Sequence, residues 1–201
     1  LRNMFVEDVV NHYTYVLHGD GDIQEPVAQG SIALAGHWGL GKLIAYYDAN
    51  DAQISGKVGR SDSTDYEKMY LSHGWQVINV DGHNRAQIRS AIRQAQMEYE
   101  KPTVIIGKTI MAHGCSNMEG DHNTHGAPLP QDEINATKIK LGLPLDPFYL
   151  PNEVILHFRA NFKILQESVK NWDHELLISR RNKNLDRFWS ISIENNLPSI
   201  N

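Results

Sequence analysis

The chain has 201 residues, of which 41% are hydrophobic and 21% are charged, and its formal net charge is −5. This length suits one α/β domain with a sizeable core and is marginal for two domains. The acidic balance disfavours nucleic acid and membranes as partners, and the longest apolar runs are too short to span a bilayer.

The cysteine content and the first residue add two expectations. The single cysteine, Cys115, excludes an internal disulfide framework and favours a reducing, cytoplasmic compartment. The chain starts with Leu1 rather than Met, so we expect it to begin inside a longer protein.

Strand-like and helix-like segments alternate along the first two-thirds of the chain. The predicted strands are Tyr13–Leu17, Leu43–Tyr47, Trp75–Val80 and Thr103–Ile110. The predicted helices between them are Glu25–His37, Thr64–His73 and Ala86–Met97. Apolar runs separated by helices indicate a mostly parallel sheet buried on both faces. We therefore predict a doubly wound α/β domain with helices on both faces and ligands at the carboxyl ends of the strands.

The last third of the chain has a different pattern. A Gly/His/Asn loop covers residues 112–130, and a short helix is predicted over Gln131–Leu141. We assign residues 1–143 to the α/β domain, and residues 144–201 to a linker and C-terminal helices that pack on it. Apolar residues at steps of three and four after Pro151 predict one amphipathic helix of about six turns. The basic residues near the end indicate a solvated surface.

A Gly-Asp-Gly tripeptide at the end of the first strand is the first candidate site. Asp20 and Gly21 follow that strand, and Asn50 follows the second strand. Carboxylate and amide oxygens at neighbouring strand ends can share one Mg²⁺ or Ca²⁺ ion, which can also hold a diphosphate. A simple strand-ending turn would explain the tripeptide alone. Asn50 favours the metal site, and the usual glycine-rich phosphate-binding motifs are absent from the sequence.

Two further candidates are a pair of loop histidines and one glutamate. His122 and His125 lie in a glycine-containing loop after the fourth strand, at the edge where ligands are expected. Imidazoles there can donate to phosphate or sugar oxygens and move protons near neutral pH. Glu25 begins the helix after the tripeptide, either as a first-turn acid favoured by the helix dipole or as a carboxylate in a proton network.

Several segments resemble the diphosphate-binding half of transketolase, a thiamine diphosphate enzyme. They are LHGDGDIQE at 17–25, LAGHWGLGKLIAYYDAND at 34–51, ISG at 54–56, HGWQV at 73–77, KPTVIIGKTI at 101–110 and HNTHGAPL at 122–129. Gly-Asp-Gly with a downstream Asn marks thiamine diphosphate enzymes generally, whereas LAGH and HGAPL are specific to transketolase. The resemblance extends from about Tyr13 to Leu141.

The resemblance implies a cofactor site of thiamine diphosphate and Mg²⁺. The metal ligands would be the side chains of Asp20 and Asn50 and the carbonyl of Ala52. Gly21 would contact the diphosphate through its amide, and Ile54 would border the cofactor.

The resemblance also implies a catalytic role for His125 and Glu25. His125 would touch both the diphosphate and a sugar phosphate substrate, and Glu25 would join an acidic relay across a homodimer interface. The reaction would transfer a two-carbon ketol unit from a ketose phosphate to an aldose phosphate, in the cytoplasmic pentose phosphate pathway. Because the family's aminopyrimidine-binding domain and upstream histidines lie outside this chain, we expect the isolated chain to be inactive.

Two alternatives remain beside the transketolase reading. Glu25 and Pro26 after Gly-Asp-Gly also resemble the homodimeric decarboxylase component of pyruvate dehydrogenase, although HGAPL does not belong to that component. Pro26, Gly30 and Ala49 depart from the transketolase pattern, the last two at acidic positions. Pro26 and Gly30 favour a third reading, a non-catalytic interaction module that retains the fold.

Overall fold

A computed structural model describes residues 9–54 and 56–196 of the chain. The chain divides into two compact units. The sheet unit comprises Tyr13–Leu145, and the helical unit comprises the residues before Tyr13 and those from Asp146 onward.

The sheet unit is built on four parallel strands. They are β1 (Thr14–Gly19), β2 (Leu43–Ala49), β3 (Gln76–Asp81) and β4 (Thr103–Lys108). Their order in the sheet is β1-β2-β4-β3, so β4 lies in the interior and β1 at an edge. The mostly parallel α/β sheet predicted from the sequence is confirmed.

Seven α-helices accompany the strands in the described part of the chain. They are α1 (Asp20–Ile23), α2 (Pro26–His37), α3 (Tyr66–Ser72), α4 (Arg85–Gln96), α5 (Gln131–Lys140), α6 (Asn152–Ser179) and α7 (Lys183–Ser192). Asn84 caps α4 by accepting hydrogen bonds from two backbone amides, and Asp65 caps α3 in the same way through one. The helices predicted with bounds agree with these to within a few residues, and α7 lies in the segment where C-terminal helices were expected without separate bounds, whereas α1 was not predicted.

Each face of the sheet carries its own core. Side chains alternate along a strand, so Val104 and Ile106 of β4 face one side and Ile105 faces the other. On the first side the strands pack against α1, α2 and α3, with Tyr70 and Trp75 in the centre. On the second side they pack against Ala91 and Ala95 of α4. Helices on both faces are what a buried parallel sheet requires.

The helical unit contains the long amphipathic helix that the apolar spacing predicts. In α6 most apolar side chains are exposed, Phe158 and Leu165 among them. The Nε1 atom of Trp172 donates to the Val9 carbonyl at 2.9 Å, and Trp189 of α7 is buried beside Val9. The packing of these helices on the sheet domain stays a prediction.

The basic end of the chain is more ordered than a solvated surface requires. Within the helical unit, Arg180 pairs with Asp186 of α7 at 2.6 Å and also with Glu194.

None of the helices in residues 9–54 and 56–196 combines the length and apolarity needed to cross a membrane.

Candidate functional site

The register of the sheet brings the ends of β1 and β2 together. His18 lies beside Tyr47, and Gly19 lies beside Asp48, in the parallel pairing of the two strands. Asp20 directly follows Gly19, the last residue of β1, and Asn50 directly follows Ala49, the last residue of β2. The two predicted metal ligands are therefore neighbours at the carboxyl edge of the sheet, where α/β folds place their ligands.

The Asp20 carboxylate is buried and held by three donors. Only 4% of the residue is exposed. Its Oδ1 atom accepts a hydrogen bond from the Tyr47 hydroxyl, and its Oδ2 atom accepts from the backbone amides of Asn50 and Ala52, each at 3.2 Å. Burial and, to a smaller extent, the hydrogen bond to Asp20 raise the pKa of Tyr47. The Tyr47 hydroxyl therefore stays protonated and acts as a neutral donor. A buried carboxylate needs such partners, and these fix its orientation.

The Asn50 side chain is oriented by its neighbours. Its Nδ2 atom donates to Oδ2 of Asp48 at 2.9 Å, and the other oxygen of Asp48 accepts from the Thr109 hydroxyl. Its Oδ1 atom accepts from the Ala52 amide at 3.0 Å. The amide oxygen of Asn50 is thereby turned towards the Asp20 side of the site.

The Ala52 amide links the two candidate ligands. One N–H group lies within hydrogen-bond distance of both Asp20 Oδ2 and Asn50 Oδ1. Carboxylate and amide oxygens are ligand types that Mg²⁺ and Ca²⁺ take, and the shared donor shows that these two oxygens lie close together. Among residues 9–54 and 56–196, no group of three or more His, Cys, Asp or Glu side chains is placed to hold a metal ion. The metal site predicted from the sequence falls in the group that comprises Asp20, Asn50, Ala52 and Tyr47, which we call the metal end.

The other residues proposed around the metal end are exposed. Gly21 lies in α1, and a Cβ atom built there would meet nothing within 4 Å. Glu25 is the N-cap residue of α2, and its side chain makes no capping hydrogen bond. Ile54 is 91% exposed. The roles of Gly21, Glu25 and Ile54 stay predictions.

A second layer behind the metal end was missed from the sequence. The His18 ring stacks on Tyr47 with centroids 5.1 Å apart and a 10° angle between planes, and its Nε2 atom lies 3.1 Å from the Tyr70 hydroxyl. Burial lowers the pKa of His18. Only the strand register reveals this stack, because His18 and Tyr47 are far apart along the chain.

The two loop histidines lie beyond β4, the strand that neighbours β2. A short 3₁₀-helix, His122–Thr124, begins after Asp121, whose side chain accepts from the Asn123 amide at 2.9 Å. His122 and His125 are both exposed. Within the described ranges no hydrogen bond joins either histidine to Asp20 or Asn50. We call residues 117–130 the histidine loop.

The chain matches a protein family and individual relatives over most of its length. The family described as transketolase, thiamine diphosphate binding domain, matches residues 3–188. Transketolase 1 of Pasteurella multocida is 44% identical over 170 residues, which are 84% of this chain and 25% of that protein. The chain therefore spans about a quarter of the length of this curated relative.

Solved structures agree with the sequence relatives. The transketolase of Campylobacter jejuni has a TM-score of 0.87 and 30% identity over 98% of this chain and 32% of its own. A transketolase from Pichia stipitis, solved in complex with sedoheptulose-7-phosphate, has a TM-score of 0.84 and 30% identity over 93% of this chain and 28% of its own.

Proposed function

The chain belongs to the transketolase family, as its thiamine diphosphate-binding domain, and on this premise we propose that it holds the diphosphate end of thiamine diphosphate through a Mg²⁺ ion. The proposed protein ligands are the side chains of Asp20 and Asn50 and the carbonyl of Ala52. The relatives matched are transketolases, so the pyruvate dehydrogenase alternative is not retained.

One observation carries this proposal. The oxygens of Asp20 and Asn50 share the Ala52 amide as a donor, at 3.2 and 3.0 Å. The Asp20 carboxylate keeps its orientation because the Tyr47 hydroxyl donates to Oδ1 and the backbone amide of Asn50 donates to Oδ2. An oxygen pair prepared in this way fits a hard divalent cation, which typically completes its shell with phosphate oxygens and water.

The exposed residues around this end are proposed to contact the cofactor and substrate. The Gly21 amide would donate to the diphosphate, and Ile54 would border the cofactor. His125 would donate to the diphosphate and to a sugar phosphate. The open surroundings of Gly21 and the exposed Ile54 leave room for such a ligand.

We expect the complete protein to transfer a two-carbon ketol unit between sugar phosphates. A Pichia stipitis relative was solved with sedoheptulose-7-phosphate, which supports this substrate class. When bound, thiamine diphosphate supplies the carbanion chemistry that breaks and forms the carbon–carbon bond. The residues of this chain would bind the diphosphate and orient the substrate.

A homodimer and a cytoplasmic location complete the proposal. Glu25, the N-cap residue of α2, is exposed in the single chain. Exposure of this kind is required of a residue that contacts a second subunit. Gly30, on the same helix, has nothing within 4 Å of a built Cβ, so no packed neighbour demands a glycine there. The unpaired Cys115 suits a reducing compartment.

Calorimetric titration of the chain with thiamine diphosphate tests the proposed site. We expect binding heat that requires Mg²⁺ and disappears with a chelator. Asp20→Asn keeps the shape of the side chain but removes its charge, so we expect the affinity to fall about 100-fold, as for the loss of a charged ligand.

Asp51→Asn is the matched control for this experiment. Asp51 adjoins Asn50, but its carboxylate is exposed and pairs with Lys57 at 3.7 Å. This control should bind the cofactor as the unchanged chain does. Equal losses in the two variants would reduce the effect to net charge and refute the metal site. No binding by the unchanged chain, even with the rest of the protein present, would favour an interaction module.

A further inference from the structure

A buried carboxylate in α5 lies outside the site described above. Glu133 is only 5% exposed, although it lies in the first turn of its helix beside the exposed Asp132. Its Oε1 atom accepts from the backbone amide of Asn117 at 2.7 Å and from that of Met118 at 3.2 Å. Its Oε2 atom accepts from the Asn117 side chain at 2.9 Å. All three donors lie in the loop that follows β4.

These bonds close the neck of a long loop. Glu133 and Asn117 are 16 residues apart, and the histidine loop lies between them. The same face of α5 makes two further bonds to the residues just before the histidine loop. The Thr137 hydroxyl accepts from the Ser116 amide at 3.1 Å, and Lys140 donates to the Cys115 carbonyl at 2.7 Å. A compact surface loop whose ends meet is a common carrier of functional residues.

A continuous series of bonds runs from Glu133 to His125. The Met118 amide donates to Glu133, and the Met118 carbonyl accepts from the Asp121 amide at 3.1 Å. Asp121 then caps the turn that begins at His122. The amide of His125 donates to the His122 carbonyl at 3.0 Å, which completes the series. We therefore expect a shift at Met118 to move the turn that carries both histidines.

We propose that Glu133 is a positioning residue that fixes the backbone of His122–His125 by closing the neck of the histidine loop. Glu133 itself touches no ligand in this assignment. The importance of that position for binding the diphosphate rests on the proposed function, whereas the closure itself does not.

Amide hydrogen exchange on the chain tests the closure directly. In Glu133→Ala we expect exchange at Asn117, Met118 and His122–His125 to rise about tenfold or more, as for loss of a hydrogen bond to a charged group. Amides of β2 and β4 should be unchanged, because a residue with only a global structural role would raise exchange there too. Asp132→Asn, the matched control, removes the adjacent exposed charge and should leave the loop unchanged.

A milder variant covers the case in which Glu133→Ala unfolds. Glu133→Gln keeps one acceptor oxygen but sets an NH₂ group against the Asn117 side chain, so the loop should loosen while the sheet remains folded. Unchanged exchange at His122–His125 in this variant, or an equal rise in Asp132→Asn, would overturn the proposal.

Titration with thiamine diphosphate separates this proposal from the proposed function. In Glu133→Gln we expect cofactor affinity to fall about tenfold, as for one lost charged hydrogen bond, while affinity for Mg²⁺ alone is kept. If the unchanged chain binds no cofactor, the proposed function fails and exchange still decides the closure. If it binds and Glu133→Gln binds equally well, the importance of the closure for binding the diphosphate is overturned, and exchange still decides the closure itself.

Discussion

The metal end and the histidine loop are held in place in opposite ways. Asp20 is buried, and its carboxylate is bonded directly to Tyr47 and to two backbone amides. His125 is exposed, and the loop that carries it is held from a distance by the buried Glu133. The Asp20 side chain is held directly, whereas for His125 only the backbone of its loop is held.

This difference follows from where each residue lies on the fold. Asp20 directly follows β1, so the sheet and its core supply donors around it. His125 lies well beyond the end of β4, and the bonds described for its loop come from neighbouring loop residues and from α5. The Asp20 carboxylate is therefore held in one orientation, whereas the exposed His125 side chain keeps its rotational freedom.

The largest expected effect is a difference in the free energy of unfolding between a variant of the metal end and a variant of the histidine loop. Asp20→Ala removes the acceptor of the Tyr47 hydroxyl and of the Asn50 backbone amide, while the Ala52 amide keeps Asn50 Oδ1, so we expect the free energy of unfolding to fall by about 2–4 kcal/mol. His125→Ala removes an exposed side chain, and its effect should stay within about 0.5 kcal/mol. Urea denaturation of both variants without added metal makes the comparison. Similar losses in the two would show that the metal end is no more fixed than the loop.

A smaller effect is expected for one donor of the metal end. Tyr47→Phe removes the hydroxyl that bonds Asp20 but keeps the ring that stacks on His18, so we expect a loss of about 1–2 kcal/mol. Tyr99→Phe is the control, because Tyr99 is 63% exposed. A Tyr47→Phe variant as stable as this control would mean that packing, rather than the hydroxyl, orients the carboxylate.

The smallest expected effect is an acid-dependent opening of the histidine loop. Hydrogen bonds from the backbone and side-chain amides of Asn117 hold the pKa of Glu133 below its ordinary value. A carboxyl whose pKa is lowered by folding stabilises the folded loop above its unfolded pKa, about 4.3, and loses that effect as pH falls through the folded pKa. Carbon-13 NMR of the Glu133 carboxyl should therefore show a midpoint below 4.3.

A second titrating carboxyl calls for a control in that experiment. A hydrogen bond from His113 also lowers the pKa of Glu119, which lies in the same loop. Loop exchange should lose its acid dependence in Glu133→Gln if Glu133 is responsible. An acid dependence that survives in Glu133→Gln would assign the opening to Glu119.

Sequence reasoning predicted the strands well because each is a short apolar run between clear turns. Thr103–Lys108 is buried from end to end except for its last residue, as its continuous apolar pattern indicates. The short helix α1 was missed because Asp20-Gly21 favours a turn as much as a helix. The bounds of α7 were not predicted because the basic residues near it resembled a solvated surface, whereas Arg180 pairs with Asp186 and Glu194.

The supporting residues of the site could not be predicted. Tyr47 precedes Asn50 by three positions, but nothing in the pattern says that its hydroxyl meets Asp20. Glu133 follows another acid, Asp132, and only the packing of α5 buries one and exposes the other. Hydrogen bonds between residues many positions apart have no local signal, because they depend on how elements pack.

The sequence by itself determined the parallel α/β fold and its family, because apolar periodicity and strand-end motifs are local properties of the chain. It also pointed to Asp20 and Asn50, since residues that follow parallel strands share one edge of the sheet. Only the tertiary structure decided the strand order, the three donors on Asp20 and the closure of the histidine loop by Glu133. Those features depend on which surfaces exclude water together, and that is settled only when the whole domain packs.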